Sequence, residues 1–151
     1  PASVPLTVDL DTGAYFRPER EGAALVGGDV AADDPDADPD AFDLSSDLDW
    51  TARAVERAVD CAGYFGPDSR VRRGWAGLYA VTPDHHPIVE EVAPGYLTAI
   101  GFSGHGFQHA PATGHIIADL VVDGETDLVD LDALSADRFE RGETHDEQNV
   151  A

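Results

Sequence analysis

Apolar and polar positions change period several times along this chain, and each change marks an element. Pro5 to Leu10 alternates, Asp11, Thr12 and Gly13 supply turn chemistry, and Ala14 to Arg17 resumes the alternation. A short loop from Glu19 to Gly22 then leads into Ala23 to Gly27. Three short strands joined by tight turns predict a meander. From Leu48 the period lengthens. Leu48, Ala52, Val55, Val59 and Ala62 fall on one helical stripe, with Ser46 and Asp49 as a capping pair before it and Gly63 as a stop after it. Ser69 to Val81 reads as a long strand, Pro83 and Asp84 as a turn, and Ile88 to Val92 as a strand. Pro94 and Gly95 form a hairpin into Tyr96 to Ile100. Ala110 to Val122 returns to helical spacing, with Pro111 where a first-turn proline is tolerated. On that helix Ala110, Gly114 and Ala118 make a small-sided face able to lie close against a neighbour, and His115 and Asp119 make an exposed pair. Leu128, Leu131, Leu134 and Phe139 predict a short returning strand and a final helical turn, followed by a frayed acidic tail from Glu143. The fold class is α+β, a mostly antiparallel or mixed sheet with a long helix and then a last strand and helix.

The stretch from Gly101 to Gln108 joins that last strand to that last helix. Its glycines let the backbone turn tightly and approach another molecule, and the helix start gathers free N–H groups at one point. An anion or an electron-rich ring edge suits such a place, and so does a plain structural junction. The order Gly-x-x-Gly-x-Gly is not the Gly-x-Gly-x-x-Gly dinucleotide fingerprint, and no acidic residue about 20 positions on completes one.

Gly101, Phe102, Ser103, Gly104, His105, Gly106 and Phe107 together resemble the C-terminal signature of the glycine/D-amino-acid oxidase family of FAD enzymes, nearest the sarcosine oxidase and dimethylglycine dehydrogenase branch. Trp75, Gly77 and the Thr82-Pro83-Asp84 run are similar to that family's Trp-x-Gly strand and Thr-Pro-Asp turn, and Tyr15 to Glu19 with Leu25 to Gly28 fits the strand pair before it. The resemblance implies that residues 1–93 belong to a substrate-binding domain. Residues 94–124 would supply the last strand, the flavin-contacting loop and the helix of an FAD-binding domain, and 125–151 a C-terminal segment and acidic tail. It places Gly101, Phe102, Ser103, Gly104, His105, Gly106, Phe107 and Gln108 at the N1–C2 carbonyl edge of the flavin. His105 and Gln108 would be the catalytic candidates, and Tyr79 and Gln108 the substrate-side residues. His105 either stands beside the flavin or only holds the loop by a hydrogen bond.

The activity implied by the resemblance is oxidation of the C–N bond of an amino acid or N-methyl amino acid by hydride transfer to flavin. Three departures refine it. Monomeric sarcosine oxidases carry a lysine where this chain has Gln108. Their flavin-linking cysteine aligns with Gly77, which implies dissociable FAD. Their oxygen-activating lysine falls at Leu25, which favours a dehydrogenase over an oxidase. Neither the dinucleotide fingerprint nor the ribose-binding acid occurs, and the chain opens at Pro1. The expectation is therefore an N-terminal half of the same polypeptide, about as long again or longer, as the principal partner, with this piece alone inactive. A non-catalytic interaction module or subunit is the competing class.

Charge narrows the partners. Thirty acidic against nine basic residues give a net charge of −21, which repels nucleic acid and anionic lipid. Acidity spread over the whole chain fits a salt-rich, halophilic cytoplasm. No apolar run is long enough to span a membrane, and the single cysteine, Cys61, suits a reducing compartment as a small packed residue. A homo-oligomer is left open. Asp33 to Asp40 reads as a solvated loop, lacking the glycine and closing glutamate of an EF-hand. Arg70, Arg72 and Arg73 are expected to pair with surface carboxylates rather than with a substrate. His105, His109 and His115 have the spacing of a zinc protease motif. However, Gly106 stands where its glutamate belongs and Pro111 is expected to break the helix, so no metal site is assigned.

Overall fold

The computed structural model describes residues 5–28, 36–66 and 68–144. The chain forms two compact units, divided between Leu78 and Tyr79. The predicted α+β class is observed, with small antiparallel sheets and a few helices.

In the first unit, β1 (Thr7–Val8), β2 (Ala14–Pro18) and β3 (Ala24–Gly28) form the expected meander in sequential order. Its register sets Phe16 opposite Thr7 on one side and Val26 on the other. Ala14 and Phe16, two apart, therefore share the buried face of β2. The Phe16 ring meets Tyr64 and Phe65 edge-on at 6.1 and 5.4 Å, which closes this small core. Helix α1 (Leu48–Cys61) packs against β2 and β3. Its N-cap is Asp47, whose carboxylate accepts the Trp50 amide at 2.8 Å, and not Ser46. The predicted apolar stripe is not the buried one. Ala54 and Ala58 face the core, whereas Leu48 is 80% exposed, Val59 is exposed and Val55 is half-buried. Cys61, expected to be packed, is exposed.

The strand predicted over Ser69 to Val81, with its Trp75-x-Gly77 run, is absent. Among the described residues this segment has no ladder partner and is held by isolated bonds, such as Ala76 N–H to the Leu44 carbonyl at 2.9 Å. Arg70, Arg72 and Arg73 form no ion pair among the described residues, and Arg73 instead lies 5.6 Å over the Trp75 ring.

The second unit holds the hairpin of β4 (Ile88–Ala93) and β5 (Tyr96–Ile100), turned at Pro94 and Gly95 as expected and bulged between Glu91 and Ala93. Helix α2 (Gly106–Val122) begins after a five-residue turn from the end of β5. It starts four residues before the predicted Ala110, so Pro111 lies in its second turn, where it removes one helical donor without ending the helix. Ile116 is its buried residue, and the small-sided face of Ala110, Gly114 and Ala118 is open. His115 and Asp119 do pair, at 3.6 Å. The predicted strand near Leu128 is absent. A 3-10 turn at Leu131–Leu134 and a short helix α3 (Asp137–Arg141) end the described chain. Of the acidic loop, residues 33–35 lie outside the described residues, as does the tail beyond Thr144.

Candidate functional site: the glycine turn between β5 and α2

Leaving β5, the backbone turns through two glycines at positive φ, Gly101 at 72° and Gly104 at 90°. A side chain at Gly101 would also collide, and one at Gly104 would be tightly placed. A Cβ on Gly101 would lie 2.5 Å from the Thr82 methyl, and one on Gly104 about 3.2 Å from the Tyr79 ring. Between them Ser103, buried and itself at φ 49°, is held in place by three bonds. Its N–H donates to the Ala80 carbonyl at 3.1 Å, its Oγ donates to the Gly101 carbonyl, and the same Oγ accepts the Thr82 amide, each of the latter two at 3.3 Å. The His105 amide closes the turn onto the Phe102 carbonyl at 2.8 Å.

The turn delivers the N-terminus of a 17-residue helix without compensation. His105 is the N-cap residue and makes no side-chain cap bond, and the first turn of α2 holds no acidic residue. Gly106, Phe107 and Gln108 therefore present main-chain N–H groups that have no intrahelical acceptor, at the positive end of the helix dipole. Phe107 is 97% exposed, and the Gln108 side chain is exposed beside it. The Nδ1 atom of His105 is buried and lacks a hydrogen-bond partner. The ring therefore does not hold the loop through Nδ1; the main chain does.

The structure thus gathers the residues singled out from the sequence. Tyr79 lies against Gly104, while the amides of Gly106 to Gln108 and the His105 ring sit on the same short turn. His105 occupies the N-cap position just before α2 without a capping bond, whereas His109 lies within the helix. Among the described residues no group of histidine, cysteine and acidic side chains is arranged to hold a metal ion.

Sequence reasoning missed the polar core beneath the turn. Arg138 of α3 is fully buried and forks onto Asp84, Nε to Oδ2 at 2.8 Å and Nη2 to Oδ1 at 2.9 Å. It also donates to the carbonyls of His86 at 2.8 Å and Ser135 at 3.0 Å. The Arg138 guanidinium, opposed by the cost of burial, holds the Asp84 carboxyl below its usual range, at about 2. The available signal was an arginine next to Phe139, over whose ring it lies at 4.2 Å, in an otherwise acidic segment. Nothing in the spacing connected it to an aspartate 54 positions earlier.

A strand, a glycine turn and an uncompensated helix start thus meet at one point of the second unit. Residues 1–120 match the family model for FAD dependent oxidoreductases, and the chain belongs to that family. It is similar to FAD-dependent oxidoreductase domain-containing protein 1 of Xenopus laevis, 33% identical over 153 residues, covering 97% of this chain and 29% of that protein. Glycine oxidase of Bacillus subtilis is 32% identical over 143 residues, covering 93% of this chain and 36% of that enzyme. Among solved structures, L-proline dehydrogenase from P. horikoshii superposes with a TM-score of 0.74 at 30% identity, over 93% of this chain and 36% of that one. The chain spans about a third of the length of these relatives.

Proposed function

We propose that this chain is the C-terminal part of a FAD-dependent oxidoreductase that oxidises the C–N bond of an amino acid or N-methyl amino acid, acting as a dehydrogenase. The observation that carries the reading is the turn from Gly101 to Gln108. Its two positive-φ glycines, its free helix-start amides and the unpartnered Nδ1 of His105 fit an acceptor-rich planar edge such as the carbonyl rim of a flavin. When bound, FAD supplies the hydride-accepting chemistry. Gly101 to Gln108 would hold its pyrimidine side non-covalently, and the N–H groups of Gly106 to Gln108 would offset negative charge gathered there, which favours reduction. His105 would stand at the same edge, and Tyr79 and Gln108 would face the substrate. The relatives' names, glycine oxidase and proline dehydrogenase, support small amino acids as the substrate class.

In this reading residues 1–93 contribute to the substrate side, 94–124 return to the flavin side, and the N-terminal half of the same polypeptide supplies the adenosine site in a cytoplasmic enzyme. The test is to express the complete polypeptide and record its visible spectrum. A yellow protein bleached anaerobically by an amino acid or N-methyl amino acid is expected, with slow peroxide formation in air. A colourless protein would favour a non-catalytic interaction module, and fast peroxide formation would make it an oxidase.

A further inference from the structure

We propose that Arg138 is a positioning residue. Through it, α3 latches the Thr82–His86 turn and so sets the conformation of the Gly101–Gly106 loop. The proposal rests on the flavin reading only for what that loop touches, since the latch itself is internal to this chain.

A buried ion pair adds little to stability over an apolar replacement, so its presence calls for another explanation. Here the geometry supplies one. The carbonyl of His86 is gripped from two sides, by Arg138 Nη2 at 2.8 Å and by the Thr82 hydroxyl at 2.7 Å, while the His86 amide donates to Asp84 Oδ1 at 3.2 Å. Arg138 therefore fixes the peptide that orients the Thr82 side chain. Thr82, buried in its turn, carries that constraint to the loop at two points. Its methyl fills the space that a Gly101 side chain would need, and its amide bonds Ser103 Oγ, which holds the Gly101 carbonyl. Two steps, Arg138 to the 82–86 turn and Thr82 to Ser103, thus separate a C-terminal side chain from the strained centre of the loop. A planar fork satisfying two carboxylate oxygens and a carbonyl at once fixes orientation in a way that a lysine or an apolar residue cannot.

The test compares the wild-type complete polypeptide with Arg138→Met, Arg138→Lys and Thr82→Val. Hydrogen exchange at the Ser103 and His105 amides, referred to β2 and β3 in the other unit, reads the loop without any cofactor. Exchange there is expected to quicken by roughly 2- to 30-fold in Arg138→Met, as suits coupling through a contiguous network, while β2 and β3 are unchanged. Arg138→Lys should fail to restore it, and Thr82→Val should reproduce it with the ion pair intact. The dissociation constant for FAD should rise by a similar roughly 2- to 30-fold, with a shifted absorption band of the bound flavin. Loop exchange equal to wild type in a folded Arg138→Met, or full rescue by Arg138→Lys, overturns the latch. If Arg138→Met does not fold, Thr82→Val decides alone, and unchanged exchange there overturns it equally. Wild-type protein that binds no FAD would remove the flavin reading and leave the exchange experiment to judge the latch.

Discussion

At the scale of single residues, Gly101 and the Asp84–Arg138 ion pair each make a measurable claim. Gly101 has both positive φ and no room, so Gly101→Ala combines left-handed strain with a collision against the Thr82 methyl. Denaturant titration should show a loss of about 1–3 kcal/mol. A Thr82→Ser background lacks that methyl, so there only the strain remains and the loss caused by Gly101→Ala should shrink. Unchanged stability in Gly101→Ala itself would contradict the turn geometry. Asp84 supplies a pH dependence. Its folded-state value of about 2 lies below the ordinary 3.8, so the ionised form is the stabilised one. That contribution, roughly 2 kcal/mol, is complete above about pH 4 and is lost as pH falls through about 2. Acid titration of wild type against Asp84→Asn should show a stability difference that is constant near neutrality and shrinks across that window. A gap that widens towards low pH would contradict the pairing.

At the scale of elements, α1 separates what periodicity shows from what packing decides. The pattern located the helix correctly, but Leu48 and Val59 of the predicted stripe are exposed, and Ala54 and Ala58 are the buried residues. Ala58→Leu should therefore cost about 1–3 kcal/mol by overpacking, whereas Leu48→Ser should change stability by no more than about 0.5 kcal/mol in the same denaturant titration. The reverse ranking would restore the predicted stripe to the core. The same division runs through the rest of the chain. The meander, the β4–β5 hairpin and the glycine turn were legible because turn chemistry is local: Gly13, Gly95 and Gly101 each adopt the positive φ that only glycine takes readily. The Ser69 to Val81 strand was misread because a strand exists only when a partner pairs with it, and alternation cannot report the partner. The Arg138–Asp84 pair was invisible for a related reason, since its two halves are 54 residues apart and each looks like a surface charge on its own.

At the scale of the whole molecule, apolar exposure and charge pull in opposite directions. Tyr96, Ile100, Phe107, Val121 and Val122 of the second unit are all exposed, side chains that the remaining part of a longer polypeptide would cover under the proposed function. The chain expressed alone is accordingly expected to bind a hydrophobic dye and to take up no FAD, whereas the complete polypeptide should do the reverse. Against that apolar exposure stands a net charge of −21, and the ion pairs Arg17–Glu19 and Arg141–Glu143 that relieve it locally are solvent-exposed. Exposed pairs contribute little, so most of the acidic surface repels itself. Added salt screens that repulsion over about 10 Å at 0.1 M and over shorter distances at higher concentration, while a pair with no solvent contact is screened far less. Thermal melts should therefore rise steadily as potassium chloride is raised into the molar range, in wild type and in Arg138→Met alike. The difference between the two proteins should stay nearly constant, because Arg138 and Asp84 are sealed from the ions. A melting temperature that falls with salt would remove the halophilic reading. A difference that closes with salt would show that the buried pair is reached by solvent.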